Sequence, residues 1–199
     1  YSAAAGFTVL ILIAVGLGLL LRPDKAPDMN VPTPPGMTEL SGALRDMQEK
    51  GVEKNFKNGK LVAYSMNNGT NDILVAFSFD SSHYTDVPPE DAGLEEMETW
   101  LKDNGEAIAK DFTDDFAMLM DTDANLVKLQ SLEALQTASG DVAIHIDLNY
   151  LDQRNRSQAG LNTFIFSKKH TIYMIFLVTF DGGTEAVIMD HLKQNISFK

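Results

Sequence analysis

Cysteine is absent from the 199 residues of this chain. Disulfides, thiolate nucleophiles and cysteine-ligated zinc or iron–sulfur centres are therefore excluded. The sequence also lacks the G-x-S-x-G elbow of a serine hydrolase and any glycine-rich phosphate loop. These absences remove several common enzyme classes and leave no motif that identifies an activity.

Basic residues are few, since 16 Lys and Arg stand against 28 Asp and Glu, for a formal net charge of −12. A surface of this sign repels phosphate backbones and anionic lipid headgroups. We therefore expect no nucleic-acid partner, and no attachment to lipid except through an inserted segment.

Charge is missing altogether between Ala3 and Leu21, a run that contains FTVLILIAVGLGLLL. A helix of this length spans about 30 Å, the hydrocarbon thickness of a bilayer, and has no polar face with which to lie on its surface. A cleaved signal peptide is the alternative, but its apolar region is shorter and ends in a small-residue cleavage site. Here Arg22-Pro23-Asp24-Lys25 follows instead. The sequence predicts one transmembrane anchor over residues 1–22.

The anchor carries small residues that allow a second membrane helix to approach closely, namely Ala14, Gly16 and Gly18. We therefore predict that it packs beside integral membrane protein subunits. The charges next to the anchor do not fix its orientation, because two basic residues are offset by two acidic ones. An extended segment after the anchor favours a translocated domain.

Five of the seven prolines lie between Pro23 and Pro35. Proline fixes φ and disfavours helix in the residue before it, so residues 23–37 are predicted to form a semi-rigid linker. At about 3.1 Å per residue, the linker would hold a domain up to ~40 Å from the anchor. Residues 38–199 then form one soluble domain, a length that suits a single core.

Hydrophobic periodicity gives the order of elements in this domain. Helices are predicted over 38–50, 93–120 with a break near Gly105, and 184–196, and strands over 61–67, 72–80, 126–136, 142–151, 161–169 and 171–180. The segment 126–136 also fits a helix, but a strand is favoured because a turn leads from it directly into the next strand. Asn68-Gly69 predicts a two-residue hairpin turn, since both residues tolerate positive φ.

The strand TIYMIFLVTF is apolar on both faces, which places it in the middle of a sheet that is covered on both sides. The first helix is expected to face inward through Leu40, Ala43, Leu44 and Met47, and the last through Val187, Ile188, Leu192 and Ile196. The predicted fold class is therefore α+β. A mostly antiparallel sheet has helices on both faces, an α/β/α sandwich, and one transmembrane helix precedes it.

This order of elements resembles the PsbP/DcrB-like domain over about residues 55–199. The resemblance rests on an N-terminal hairpin, a long acidic helix, a four-strand meander and the ending TIYMIFLVTFDGGTEAVIMDHLKQNISF, in which a helix closes on Ser197-Phe198. It implies a non-catalytic role, because the known members are mostly accessory subunits of photosystems, envelope lipoproteins and adaptors. The metal sites of some members have no matching motif in this sequence.

Two sets of polar residues are weak site candidates. His145 and Asp147 lie two apart on a predicted strand and share a face, which suits a metal or a general base. Asp121, Asp123 and Asn125 begin like an EF-hand calcium loop, but that loop needs glycine at position 6 and glutamate at position 12. Leucine occupies both positions here, so the EF-hand is excluded, while weak calcium binding by the acidic turn stays open. No catalytic or cofactor-binding residue is predicted.

Three functions remain open from the sequence. The favoured one is a non-catalytic accessory or assembly subunit of a larger membrane protein complex, with the acidic domain capping an extracytoplasmic face. The alternatives are a single-pass envelope sensor or ligand-binding protein, and an enzyme whose polar residues converge only in the fold. We expect a single-pass membrane protein with a periplasmic or lumenal domain, no enzymatic activity and no cofactor.

Overall fold

A computed structural model of the chain describes residues 26–82, 84–151, 156–180 and 185–199. The predicted anchor over 1–22, with Ala14, Gly16 and Gly18, lies outside the described residues. Within the described ranges, none of the helices combines the length and the apolar composition that a membrane span requires.

The described residues contain three α-helices and nine strands. The helices are α1 (Ala43–Asn55), α2 (Leu94–Leu119) and α3 (Glu185–Asn195), and a 3₁₀ turn lies at Ala124–Leu126. The strands are β1 (Met29–Asn30), β2 (Thr38–Glu39), β3 (Lys60–Met66), β4 (Ile73–Asp80), β5 (Val127–Gln136), β6 (Val142–Leu151), β7 (Ser157–Lys168), β8 (Thr171–Thr179) and β9 (Ser197–Phe198).

Seven of the strands form one antiparallel sheet in the order β2-β3-β4-β8-β7-β6-β5. Strand β8 is the central strand, and its Phe176 pairs with Val75 on one side and Thr163 on the other. The position predicted for TIYMIFLVTF is therefore confirmed. The α+β class is confirmed as well, with antiparallel neighbours throughout the described sheet.

Each face of the sheet carries its own hydrophobic layer. Successive residues of a strand point to opposite faces, so Phe176 of β8 joins the layer beneath α1 and α2 while Ile175 joins the layer beneath α3. We call these the first and the second face. Burial on both sides explains why β8 lacks the alternation of polar and apolar residues that a half-exposed strand shows.

Helix α2 runs unbroken through Gly105, where the sequence suggests a break. Gly105 is buried, and a Cβ atom there would lie 3.1 Å from Cδ2 of Leu132. The glycine therefore allows the helix to approach β5 closely, which is a packing role rather than a helix-breaking one.

The first helix lies later in the chain than predicted. Thr38–Glu39 is a strand paired with β3, and α1 begins only at Ala43. The residues that α1 buries are Gln48 and Val52, whereas Leu44 and Met47, which were predicted to face inward, are each 44% exposed. The inward face was predicted wrongly because the helix contacts the sheet through its second half.

The turn between β3 and β4 is also longer than the predicted two-residue turn. The Asn67 amide donates to Asp72 O, and the Asn71 amide donates to Asn67 O. Positive φ occurs at Asn71, at 63°. The Asn67 side chain accepts from the Gly69 amide at 2.9 Å, and an asparagine that bonds two residues ahead in this way starts a wider loop.

Helix α3 lies across the second face as predicted, with Ile188, Leu192 and Ile196 buried. Val187 was predicted to face inward and is 57% exposed, and Met189 is buried in its place.

The proline-rich segment is part of the fold from Ala26 onward, although residues 23–37 were predicted to be a linker. Met29, Val31 and Met37 are buried in the layer on the second face. Strand β1 pairs with β9, and the Tyr173 hydroxyl donates to Pro27 O. We call residues 26–37 the strap. The strap covers part of the second face beside α3 with its apolar side chains. It therefore packs against the domain and does not act as a free spacer.

Candidate functional site

His145 lies at the centre of a buried polar network on the second face. Its Nε2 is 2.9 Å from Asn162 Oδ1, and its Nδ1 is 3.3 Å from Glu133 Oε1. The ring stacks on Phe164 with centroids 5.0 Å apart, and the residue is 4% exposed. Strands β5, β6 and β7 position these groups, because Glu133 and Phe164 are the direct cross-strand partners of His145.

The network continues into α3. Asn162 Nδ2 donates to Glu185 Oε1 at 2.6 Å, and the Thr179 hydroxyl donates to Glu185 Oε2 at 3.3 Å. At Gly160, a Cβ atom would lie 2.8 Å from Thr179 Oγ1 and 3.2 Å from Glu185 Oε2. A side chain at position 160 would therefore displace the carboxylate, so the glycine is needed to seat Glu185 at the start of α3.

The hydrogen-bond roles in this network are fixed by Asn162. Because Asn162 Nδ2 donates to Glu185, its Oδ1 is the atom that faces His145, and Nε2 of the imidazole must be the donor. The other ring nitrogen faces the Glu133 carboxylate. With both nitrogens engaged and the ring buried, His145 has no position left for a substrate or a metal. Its chemistry here is that of a connection between the sheet and α3.

Asp147 shares the face of His145, as the sequence predicts, but the network does not include it. Burial, and then the nearby Glu185, raise the pKa of Asp147, while His145 and Lys193 act in the opposite direction. Its Oδ1 has no hydrogen-bond partner among the described residues. The described residues contain no grouping of three or more His, Asp or Glu side chains suited to a metal ion.

The acidic turn after α2 is used locally. Asp123 Oδ1 accepts from the Asn125 amide at 2.9 Å and caps the 3₁₀ turn, and Asp121 takes a left-handed conformation with φ 49°. Asp121 and Asp123 line a pocket of about 500 Å³ together with Asp114, and Asn125 does not. Asn125 thus contacts Asp123 through its backbone amide and does not line the pocket with the two aspartates.

Helix α2 carries much of the negative charge of the molecule. Its 26 residues contain eight acidic and two basic side chains, a balance of −6 in a chain of net charge −12. Most of the acidic groups are exposed, namely Glu95, Glu96, Glu98, Asp103, Glu106, Asp111 and Asp114. Burial, followed by the charges of Asp111 and Asp114, raises the pKa of Asp115 to about 6.

The first three turns of α2 form a groove of about 720 Å³ that we call the Trp100 groove. Leu94, which is 39% exposed, and the half-buried Trp100 supply its apolar surface. Glu95, Glu96 and Asp103 supply acidic groups along the same groove. An aromatic ring among carboxylates suits a cationic side chain, since the ring face and the carboxylates both attract positive charge.

Sequence reasoning missed the Trp100 groove, because it described this segment as a long acidic helix and did not single out Trp100. The signal that was available is the single tryptophan of the chain, which has acidic residues at positions 95, 96, 98 and 103 close to it. A large aromatic residue that is only half buried on a charged helix face is typical of binding surfaces.

Comparison with known proteins finds likeness in structure alone. No protein-family model matches the sequence, and no curated protein matches it. The structure is similar to the solution structure of cyanobacterial PsbP (CyanoP) from Synechocystis sp. PCC 6803, with a TM-score of 0.49 and 10% identity. That likeness covers 92% of this chain and 98% of CyanoP.

A second similar structure is that of LpqN, involved in cell envelope biogenesis of Mycobacterium tuberculosis. The TM-score is 0.44 at 9% identity, over 92% of this chain and 91% of LpqN. Both likenesses run over nearly the whole of each chain.

Proposed function

We propose that this chain is a non-catalytic accessory subunit of a larger membrane protein complex, and that the Trp100 groove is where its domain contacts the complex. The anchor predicted over residues 1–22 would lie beside integral membrane subunits, with the domain on an extracytoplasmic face. The observation that carries this proposal is the groove itself, an exposed apolar surface with acidic groups on the most negatively charged helix of the described fold.

The polar residues best placed for chemistry support a non-catalytic role. His145 is held between two acceptors and is 4% exposed. Asp123 serves as a cap for the 3₁₀ turn. A general base must reach the proton that it removes, and the buried imidazole of His145 cannot do so.

The partner that fits the groove is a basic protein segment. A lysine or arginine over the indole of Trp100 gains about 0.5–2 kcal/mol, with more from partly desolvated ion pairs to the carboxylates. A second copy of this acidic chain would be repelled. The groove alone is small, so its binding is weak. Linkage to the anchor makes the second contact intramolecular and raises the combined affinity.

The experiment is co-purification of the full chain from native membranes in mild detergent. Glu95→Gln, Glu96→Gln and Asp103→Asn together should reduce recovery of the partner several-fold. The matched control is Glu106→Gln, Asp111→Asn and Asp114→Asn, which removes the same charge from the same helix outside the groove. If the control loses as much partner, net charge rather than the groove is responsible.

Two further variants test the aromatic group and the anchor. Trp100→Ala should reduce recovery further, and its thermal unfolding must be measured because Trp100 also packs against the core on the first face. Ala14→Leu with Gly18→Leu should weaken recovery by blocking close helix approach in the membrane. If the wild-type chain recovers no stoichiometric partner, the accessory-subunit proposal is wrong.

A further inference from the structure

A second groove, lined by residues outside α2, lies between the strap and one edge of the sheet. This edge is formed by the start of β3, the end of β4 and the start of β8. Its volume is about 850 Å³, within the range of pockets that hold small molecules. The strap lines it from Ala26 to Met29, and the turn between β7 and β8 closes it at Lys169 and His170. We call it the strap groove.

The strap groove is positively charged in a molecule that is otherwise acidic. Four cationic side chains line it, Arg45, Lys57, Lys60 and Lys169, against two carboxylates, Asp28 and Asp80. Arg45 also pairs with Glu39, which lies outside the lining, at 3.1 Å. The lining therefore carries a formal charge of +2, while the whole chain carries −12. A concave site that is lined by charges of one sign raises the local concentration of oppositely charged ligands.

The two carboxylates do not cancel this charge equally. The Asp80 side chain is 10% exposed and lies 3.9 Å from Lys57 Nζ through its Oδ2. Its Oδ1 accepts from the Ser82 amide at 2.9 Å and from the Ser82 hydroxyl at 2.6 Å. Asp80 therefore stabilises the loop after β4. Asp28 lies 3.4 Å from Lys60, with the two side chains 71% and 66% exposed. An exposed pair of this kind is weak, so an incoming anion can replace Asp28 at Lys60.

The turn at the other side of the groove has an unusual composition. Lys168 pairs with Thr171, so Lys169 and His170 form a two-residue hairpin turn, and their φ angles are 44° and 59°. Such turns favour Asn-Gly, because side chains are strained at positive φ. Strained positions of this kind cluster at functional sites. The strain here places a lysine at the groove.

Lys169 is the least compensated cation of the groove. It is exposed, and no carboxylate of the described residues lies within ion-pair distance of it. The neighbouring His170 is bound by Glu90, which does not line the groove. Glu90 Oε1 lies 2.9 Å from the His170 amide nitrogen and 2.7 Å from its Nδ1. The turn is thereby fixed while the ammonium group stays open to a ligand.

We propose that the strap groove binds a phosphate-bearing anion, with Lys60 and Lys169 as its main contacts. Ammonium groups bind phosphate oxygens by charge-assisted hydrogen bonds. The neutral donors Asn58 and Ser78 also line the groove, and Asn58 Nδ2 donates to Asp80 Oδ2 at 3.4 Å. The phosphate belongs either to a small soluble metabolite or to the headgroup of an anionic lipid. This site is separate from the Trp100 groove and does not depend on the proposed function.

The experiment measures lysine acetylation of the full chain in nonionic detergent by mass spectrometry. One arm adds glycerol 3-phosphate, and the other adds phosphatidylglycerol to the micelles, with glycerol and phosphatidylcholine as the respective blanks. Labelling of Lys60 and Lys169 should fall several-fold, while that of the exposed Lys102 and Lys128 stays unchanged. Protection by glycerol 3-phosphate indicates a soluble ligand, and protection by phosphatidylglycerol alone indicates a lipid headgroup.

Variants separate specific binding from general screening. Lys60→Gln with Lys169→Gln should abolish protection of Lys57, which lines the same groove, whereas Lys102→Gln with Lys128→Gln should preserve it. Circular dichroism shows whether each variant is folded. The proposal is overturned if neither phosphate probe protects the groove lysines, or if Lys102 and Lys128 are protected to the same extent.

Discussion

The Tyr173 hydroxyl on the central strand β8 donates a hydrogen bond to the carbonyl oxygen of Pro27 in the strap. This bond joins residues 146 positions apart, and it connects the start of the described chain to the middle of the sheet. Burial, followed by the charge of Asp28, raises the pKa of Tyr173 to about 12. The strap is thus attached by a group that ionises only at high pH.

Tyr173→Phe should loosen the strap. Removing the hydroxyl leaves Pro27 O without its donor, which costs about 1 kcal/mol of unfolding free energy. Urea denaturation measures that loss, and hydrogen exchange at the Asp28 and Asn30 amides should accelerate, because the strap holds the Asp28–Lys199 and Asn30–Ser197 pairs in place. Unchanged exchange at these two amides would show that β1 is held without Tyr173.

The same variant isolates an alkaline effect on stability. Because the folded-state pKa of Tyr173 lies above the unfolded value of 10, its contribution to stability is complete below pH 10 and is lost as the pH rises through about 12. Wild type should therefore lose more stability than Tyr173→Phe between these pH values. Parallel unfolding curves of the two proteins over that range would contradict this assignment.

Removing the strap should destabilise the domain. Met29, Val31 and Met37 are buried, at 7, 9 and 8% exposure, and each buried side chain of this size contributes about 1.5–3 kcal/mol. A chain of residues 26–199 should therefore unfold at a clearly higher urea concentration than one of residues 38–199. Equal unfolding midpoints would show that residues 26–37 act as the linker that the sequence predicts.

Acidification from pH 7 should stabilise α2 through Asp115. Its folded-state pKa of about 6 lies above the usual aspartate value of 3.8, so its stabilising contribution is complete below the unfolded pKa and is lost as the pH rises through 6. Asp115→Asn should raise the melting temperature at pH 7. It should also reduce the increase in melting temperature that the wild-type protein shows on acidification from pH 7 to pH 5. The slope would be identical in both proteins if Asp115 titrates normally.

Two glycines should respond differently to alanine. Gly160→Ala brings a Cβ within 2.8 Å of Thr179 Oγ1 between three paired strands, and overpacking of this kind costs about 1–3 kcal/mol. In Gly105→Ala the contact is the end of a leucine side chain at 3.1 Å, and alanine gains about 1 kcal/mol of helix propensity. Thermal melts of both variants should show a large loss only at position 160.

The parts of this fold that are visible in the sequence are those with a strong local pattern. TIYMIFLVTF is apolar on both faces, and it is the central strand. The strap was missed because its prolines indicate an extended spacer, although Met29 and Val31 alternate with polar residues as in a strand. Leu44 and Met47 fit a helical stripe as well as Val52 does, and only the position of the sheet decides which of them is buried.

The polar network shows the same limit. That His145 and Asp147 share a face follows from the strand period, and the structure confirms it. The partners of His145 are Asn162, seventeen residues away, and Glu133, twelve residues away in the other direction. Such partners depend on strand register, which local spacing does not contain.

The turn at Lys169-His170 offers a test that couples stability to binding. Lys169→Asn with His170→Gly installs the pair that a two-residue turn with positive φ prefers, and relief of strain at both positions should stabilise the domain by about 1–3 kcal/mol. The backbone amide bond to Glu90 can persist, while the imidazole contact is lost.

The variant should also lose phosphate protection at Lys60, because the open cation of the strap groove is gone. A variant that is more stable and still protected would show that Lys169 makes no contact with the ligand, and an unchanged melting temperature would show that the turn carries no strain.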